Sequence, residues 1–390
     1  MDRGAPFSST QPLVSVVIPA FNASTYIERT LRSAVRQTYP ALEIIVVNDG
    51  STDDTAKLVE QIAITDPRIR LLSTPNRGVA AARNTGINAS SGRFVAFLDA
   101  DDLWHHTKIE KQVDALGRLS RRWGAVYVLH YIIDEDDEIV GVGGSKTARG
   151  YIYARHLNFK YIGNGSALLV RRDVALEIGG FDSSYAAEGI GGCEDLDFEL
   201  KLAARYHMEI VPERLVGYRK YPGNMSSDHA RIGRGVLEAI KRSIAANPQL
   251  PRHAARSAMA LTQKYAFRQY RKAKNLRLSV AAAWAIFQYP RFMLSLVRQA
   301  SLLILKQCHF KSGMAHSKRL NGAKFDDQII LSPVEGPEET AQSRRLLMQL
   351  TAVDAKLGSI VENDERVVFP SGESPKDRAT SNARRAERQP

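Results

Sequence analysis

The chain has 390 residues, a formal net charge of +12, 44% hydrophobic residues and 25% charged residues. This length predicts two or three domains with ample volume for a core, and the composition excludes collagenous, mucin-like and wholly disordered classes. Two cysteines, Cys193 and Cys308, exclude a disulfide framework or a four-cysteine zinc site and fit a reducing compartment.

The first apolar run, 13–18, is short, ends at Pro19 and lacks a small-residue cleavage site, so no signal peptide is expected. β-Branched runs at 14–18, 43–47, 68–72 and 93–98 predict strands, and helical spacing at 24–36, 52–64 and 79–89 predicts helices between them. Strands alternating with helices read as βαβ units, hence an α/β fold with a mainly parallel sheet covered on both faces. From about 120 to 220 the pattern is mixed. Strands are expected at 125–133 and 166–170, a helix at 196–206, and turning loops at the glycine-rich stretches 141–144 and 189–192. The segment 229–307 reads as helical, with breaks at Asn247-Pro248 and Pro290. Beyond 325, a short amphipathic helix is expected at 338–357 and disorder at 370–390.

Charge is unevenly spread. Residues 1–230 carry 26 Lys/Arg against 29 Asp/Glu, whereas 231–324 carry 19 against the single acid Glu238. The tail from 325 carries 9 against 12. A near-neutral body therefore bears one intensely basic segment, which calls for an anionic partner such as lipid headgroups, nucleic acid or a diphosphate.

Three acidic sites fall beyond the carboxyl ends of predicted strands or at a helix start, where an open α/β sheet places its ligands. Asp49 follows the second strand. Asp99, Asp101 and Asp102 follow the fourth, and Glu194 and Asp195 open the 196–206 helix after a glycine-rich loop. Helix capping accounts for Asp53 and Asp54 but not for Asp49. Acids crowded at a buried strand end raise one another's pKa unless a cation neutralises them, and one or two carboxylates plus substrate phosphates is a usual Mg²⁺ arrangement.

In order along the chain stand Val14-Ser-Val-Val-Ile-Pro-Ala-Phe-Asn22, Gln37-Thr-Tyr-Pro40, Val46-Val-Asn-Asp-Gly-Ser-Thr-Asp53 and Asn76-Arg-Gly-Val-Ala-Ala-Ala-Arg-Asn84. Phe97-Leu-Asp-Ala-Asp-Asp102, Gly179-Gly-Phe-Asp182 and Cys193-Glu-Asp-Leu-Asp197 follow. With these blocks the sequence resembles the family 2 inverting glycosyltransferases of the GT-A fold, over about residues 13–225. The resemblance implies a Rossmann-like, mainly parallel sheet with helices on both faces, followed here by a basic α-helical C-terminal region. With the charge and pattern of the rest, the chain divides into a flexible 1–12, a catalytic domain 13–228 (nucleotide-binding half 13–104, acceptor half 105–228), a basic helical region 229–324, and a partly disordered tail 325–390.

The resemblance implies that Pro19, Phe21 and Asp49 line the base pocket, with Arg83 near the base or phosphates. Asp99 and Asp101 look like the metal motif for Mn²⁺ or Mg²⁺, with Asp99 also on the nucleotide and Asp101 the more direct ligand. Asp195 is similar to the catalytic base, and Glu194 orients the acceptor or shares that duty. A nucleotide diphosphate neutralised by a metal leaves without a general acid, and one carboxylate suffices to deprotonate the acceptor hydroxyl. A glycosidase needs a protonating carboxylic acid instead.

Two departures stand out. Family members often carry a histidine after the acceptor region, where this chain reads Tyr218-Arg-Lys-Tyr-Pro-Gly-Asn-Met-Ser226, with Tyr221 in the histidine's place. Water, donor phosphate or His229 is left as the third metal ligand. The tryptophan motif of processive synthases is absent, since Trp284 is the only tryptophan after residue 195.

The expected activity is transfer of one sugar from a nucleotide-diphosphate sugar, UDP favoured, to a glycan or lipid-diphosphate-linked hydroxyl in bacterial polysaccharide or glycolipid synthesis. A sugar nucleotidyltransferase is the alternative, but Pro19-Ala-Phe-Asn-Ala-Ser24 is no glycine-rich basic phosphate loop. The other alternative is a non-catalytic membrane or nucleic-acid binder on the same fold. The longest uncharged run in the basic block, 278–290, is too short to span a membrane. Its alternating apolar and basic residues predict a peripheral surface for anionic lipid, and no nucleic-acid motif is present. The expected location is cytoplasmic, on the inner face of the cytoplasmic membrane.

Overall fold

The structure, a computed structural model, describes residues 11–144, 146–289, 323–325 and 341–363. The break expected at Pro290 and the disorder expected at 370–390 lie outside the described residues.

The first half alternates as its apolar runs dictate: β1 (Val14–Ala20), α1 (Ile27–Val35), β2 (Leu42–Asp49), α2 (Thr55–Thr65), β3 (Ile69–Thr74), α3 (Val79–Ala89) and β4 (Phe94–Phe97). Every residue of β1 and β4 is buried, as befits strands covered on both faces. Their pairing is parallel, with Val14 opposite both Leu42 and Phe94 and Ile44 opposite Ile69. Helix α3 lies so close on β1 that a Cβ at Gly86 would stand 2.2 Å from Val17 Cγ1, so only glycine fits there. This close seating carries Arg83 on the same helix into the crevice beyond the strand ends.

The second half comprises β5 (Leu103–Trp104), α4 (Lys108–Gly117), β6 (Trp123–Ile133), β7 (Ile139–Gly143), α5 (Tyr153–Phe159), β8 (Leu168–Arg171), α6 (Arg172–Glu177), α7 (Ser184–Ala187), α8 (Glu194–Arg205) and β9 (His207–Arg219). Among the described residues one sheet runs β3-β2-β1-β4-β8-β6-β9-β5, with β7 also on β6. Antiparallel β8 joins the parallel half to the rest by pairing with both β4 and β6. The glycine-rich stretch expected to be a loop at 141–144 is mostly β7, because His130–Ile133 of β6 offers it a free edge. The long β9 was not anticipated: its charged positions are paired in the fold, Glu209 with Arg149 and Arg219 with Asp137.

The described part of the basic region forms α9 (His229–Ala246), α10 (Arg252–Lys272) and α11 (Leu276–Phe287), and the helix expected over 290–307 lies outside the described residues. The first break falls where Asn247-Pro248 predicts it. An unanticipated second break follows α10, where Lys274 takes φ 54° and Asn275 caps α11 by accepting from the Leu278 amide. Ala239, Ile240, Ala254 and Ala258 join the main core, so part of this region packs on the sheet domain. No helix among the described residues is long and apolar enough to cross a membrane.

The last described helix, α12 (Ala341–Asn363), outruns the expected 338–357 and buries Leu350, Val353 and Leu357 in the main core. Its Asp354 is buried and accepts from the Ala154 amide (2.6 Å), the Arg155 amide (3.2 Å) and Arg155 Nε (2.7 Å). A carboxylate from α12 thus caps the start of α5, where no local side chain does.

Candidate active site

The crevice lies beyond the carboxyl ends of β1, β2 and β4. Pro19 is buried near the end of β1, and Phe21 just past it is half exposed. Asp49 ends β2 with its carboxylate buried; Oδ1 accepts from the Arg77 amide (2.9 Å) and Oδ2 from the Gly78 amide (2.8 Å). It therefore fixes the loop leading into α3. The β1–α1 and β2–α2 connections are laced together: Asn22 Oδ1 accepts from the Thr52 amide (2.8 Å), and Asp53 Oδ2 from the Ser24 amide (3.0 Å). Asp53 also accepts from the Thr55 amide at the start of α2, while Asp54, the residue at the N-cap, makes no side-chain cap. Burial works against its charge, but hydrogen bonds from Thr55 and Ser24 outweigh that and pull the carboxyl down to about 2.

The three acids after β4 part company. Asp99 is held through its amide, which donates to Ser166 Oγ (3.0 Å), and through Oδ1, which accepts from Arg83 Nη2 (2.6 Å). Asp102 is fully buried and structural, accepting from Ser166 Oγ (2.6 Å) and the Arg219 amide (2.9 Å). Asp101 stays at the crevice with its carboxyl hydrogen-bonded to the Tyr221 hydroxyl. Burial first, and then the neighbouring Asp99, push the Asp101 carboxyl up to about 6.

Tyr221, standing in the histidine's place, thus reaches the acidic motif directly. Its ring packs on Tyr26 with centroids 4.9 Å apart, and the buried Arg219 lies 4.7 Å over that same Tyr26 ring. Arg219 Nε also donates to the Asp101 carbonyl (2.7 Å), fixing the backbone of the motif. Sequence reasoning missed Tyr26 and Arg219. No local pattern marks them, because the cluster forms only when β9 folds beside the β1–α1 connection.

Arg83 occupies the centre. It is buried, with Nη2 on Asp99 Oδ1 and Nη1 on Asp195 Oδ1, each at 2.6 Å, and its guanidinium lies 5.0 Å over the Phe181 ring. Despite burial, the two carboxylates hold its pKa above the ordinary arginine value. Asp195 sits in the first turn of α8, and its Oδ2 accepts from the Gly165 amide (3.1 Å). A Cβ at Gly165 would come 3.0 Å from Arg83 Nη2 and 3.1 Å from Asp195 Oδ1, close enough that these side chains would have to shift to admit it. Substituting Gly165 with alanine is expected to lower turnover by displacing Arg83 or Asp195, as checked by initial rates. Glu194 is buried and its Oε2 accepts from the Cys193 amide (2.9 Å), so it braces the start of α8.

Asp99 and Asp101 suit a divalent cation, being two crowded carboxylates at one strand end whose pKa values burial raises in both, with Asp99 adding to the rise at Asp101. Among the described residues no group of three or more His, Cys, Asp or Glu is gathered for a metal, so His229 does not complete such a cluster. A cation held there would take carboxylate oxygen from these two acids, with phosphate and water filling its remaining positions.

Comparison with known proteins agrees with this architecture. Residues 15–173 match the family model for glycosyl transferase family 2. The chain is 45% identical over 105 residues to the putative teichuronic acid biosynthesis glycosyltransferase TuaG of Bacillus subtilis, covering 27% of this chain and 42% of that one. It is 32% identical over 244 residues to an uncharacterized glycosyltransferase of Haemophilus influenzae, covering 59% of this chain and 72% of the relative. Among solved structures, the mannosyltransferase PcManGT of Pyrobaculum calidifontis in complex with GDP-Man and Mn²⁺ superposes with TM-score 0.50 at 21% identity, over 79% of this chain and 90% of that one. TarS 1–349 of S. aureus in complex with UDP-GlcNAc does so with TM-score 0.52 at 18% identity, over 66% and 72%. A relative sharing nearly a third of its residues across most of its length, with the family blocks in order on a GT-A sheet, makes this chain a member of glycosyl transferase family 2 and a glycosyltransferase.

Proposed function

We propose that the protein is a metal-dependent, inverting transferase that moves one sugar from a nucleotide-diphosphate sugar, UDP favoured, to a hydroxyl of a glycan or lipid-diphosphate-linked acceptor in bacterial polysaccharide synthesis. The observation that carries this reading is Arg83, whose one guanidinium holds Asp99 of the acidic motif and Asp195 of α8 at 2.6 Å each. It sets the leaving-group side and the acceptor side of the reaction on one rigid support. Relatives named for teichuronic acid and chondroitin synthesis support a glycan acceptor. Related folds solved with GDP-Man and Mn²⁺ or with UDP-GlcNAc support a nucleotide-sugar donor.

A divalent cation held by Asp99 and Asp101 would neutralise the charge that grows on the departing diphosphate. Asp195 takes the proton of the acceptor hydroxyl as its oxygen bonds the anomeric carbon, and the bond from that carbon to the diphosphate oxygen breaks. The Gly165 amide and Arg83 hold the Asp195 carboxylate in place before the acceptor arrives. Asp49 and the Arg77-Gly78 backbone order the base end of the crevice, and Phe21 offers it an exposed ring.

Melting temperature measured with UDP, GDP and dTDP, with and without Mn²⁺, tests the reading, because a ligand of the folded state raises stability as RT ln(1 + [L]/Kd). A UDP-selective, Mn²⁺-requiring rise that disappears in Asp101→Ala is the expected result. No rise with any nucleotide would overturn the donor assignment.

Cation affinity carries a pH signature. With the Asp101 carboxyl near 6, protons compete with the cation below that value, so affinity is expected to climb from pH 5 to pH 7 and then level off. In the metal-free protein the sign is opposite. A carboxyl raised on folding takes up a proton between its unfolded and folded pKa values, so its contribution to stability falls as pH rises through about 4 to 6. The Tyr221 hydroxyl lowers the Asp101 pKa, so Tyr221→Phe should move the affinity curve to higher pH; titration calorimetry across pH checks both.

A further inference from the structure

Leu276, Val280, Trp284 and Phe287 recur on α11 at steps of four, four and three, which at about 100° per residue places them within roughly 80° of arc. The buried side of the same helix is different: Ser279, Ala282 and Ile286 are covered, and Ala282 packs with Ala266 and Tyr270 of α10. The four large residues face out, with exposures of 78%, 59%, 73% and 58%. Scattered exposed apolar residues are ordinary, but four on one face of one helix form a continuous stripe.

The charges around the stripe have one sign. Exposed Arg268, Arg271, Lys272, Lys274 and Arg277 surround the α10–α11 turn, and exposed Arg252 and Arg256 stand at the start of α10. Neither α10 nor α11 contains an aspartate or glutamate. The nearest preceding acid, Glu238 on α9, is paired with Arg242 and Lys241. A second copy of this chain would bring like charge against like. A nucleic acid would engage the cations and Trp284 but has nothing for Leu276 and Val280. An anionic lipid surface satisfies both elements, hydrocarbon for the stripe and phosphate for the cations.

We propose that α11 lies in the headgroup boundary of an anionic membrane, with Leu276, Val280, Trp284 and Phe287 buried toward the acyl chains and the hairpin's lysines and arginines among the phosphates. This gives the lipid-linked acceptor reading above, on which it rests, a docking face.

Flotation of the full chain with phosphatidylglycerol–phosphatidylcholine vesicles, against phosphatidylcholine alone, tests it. Trp104 is buried and Trp123 packs on His207, so a blue shift of emission on vesicle addition reports Trp284. Wild type should float only with the anionic vesicles, less so at high salt, and shift to the blue. Trp284→Ser with Phe287→Ser should lose roughly tenfold or more of the bound fraction, at unchanged melting temperature. Equal flotation on neutral vesicles, none on either, or wild-type flotation by the double variant would overturn the proposal. So would a fall in melting temperature, a change from dimer to monomer, or loss of RNA retention in the double variant with no lipid binding, each of which assigns the stripe to another occupant. Flotation as expected with sugar transfer only to soluble glycans would remove the lipid-linked acceptor and leave the membrane face standing.

Discussion

Replacing Asp195 with asparagine is expected to lower kcat by about 10²–10⁴-fold, the usual contribution of a positioned general base, while nucleotide-induced stabilisation persists. The amide keeps an oxygen for the Gly165 amide, so the α8 start and the loop before β8 stay joined. What disappears is the proton acceptor and half of the ionic hold on Arg83, whose other half on Asp99 remains. Arg83 is buried, so its residual charge then weighs on Asp99 alone. A somewhat tighter Asp99–Arg83 contact should weaken competing cation binding by a few-fold at most. Steady-state rates and nucleotide thermal shifts on one preparation separate the two effects. An Asp195→Asn protein that transfers sugar at the parent rate would remove Asp195 as the base. One that neither transfers nor responds to nucleotide would make its role structural.

The second large effect belongs to stability. Asp354→Ala removes from α12 a buried carboxylate that accepts from two α5 amides and from Arg155 Nε. Breaking a buried, hydrogen-bonded pair from one side costs about 3–5 kcal/mol, and each kcal/mol shifts the melting temperature of a domain this size by roughly 2–4 °C. A fall of roughly 6–20 °C in scanning calorimetry is therefore expected. Asp354→Asn keeps an acceptor for one amide and should fall less. A melting temperature unchanged by Asp354→Ala would mean that α12 does not dock as described.

The parallel half was legible in the sequence because its strands are buried on both faces and read as unbroken apolar runs. Helix α3 falls at 79–89 as its spacing predicts, and β1 to β4 lie within two residues of the predicted runs at every end. The second half hid itself for physical reasons. Strand β9 interrupts its apolar residues with Glu209, Pro212, Glu213 and Arg214, and its pairing with β6 shifts register near Val128 and Leu129, so no period survives. Strand β5 is two residues long, and β7 is built on glycine and valine. Both exist because a neighbour offers an edge.

At the site, the acids could be picked out singly, but their division of labour could not. Asp102 looks like a third member of the motif until Ser166 and the Arg219 amide are seen to consume its carboxylate. The resemblance sets Arg83 near the base or phosphates; what the sequence does not show is its bridge from Asp99 to Asp195, the latter contact spanning 112 residues that no local pattern encodes. The same holds for Asp354, whose contact with Ala154 on α5 no local pattern encodes.

That last contact spans 200 residues between Ala154 and Asp354. A ribosome adding about 5–20 residues per second takes roughly 10–40 s to cover the interval. During that time the parallel sheet has emerged and can collapse, yet the first turn of α5 has no cap and Leu350, Val353 and Leu357 do not yet exist to cover their share of the core. The nascent chain thus waits with an unfinished apolar face, and its dependence on holding chaperones, and its yield when synthesis is stalled or shortened within α12, should be set by that delay rather than by the catalytic crevice.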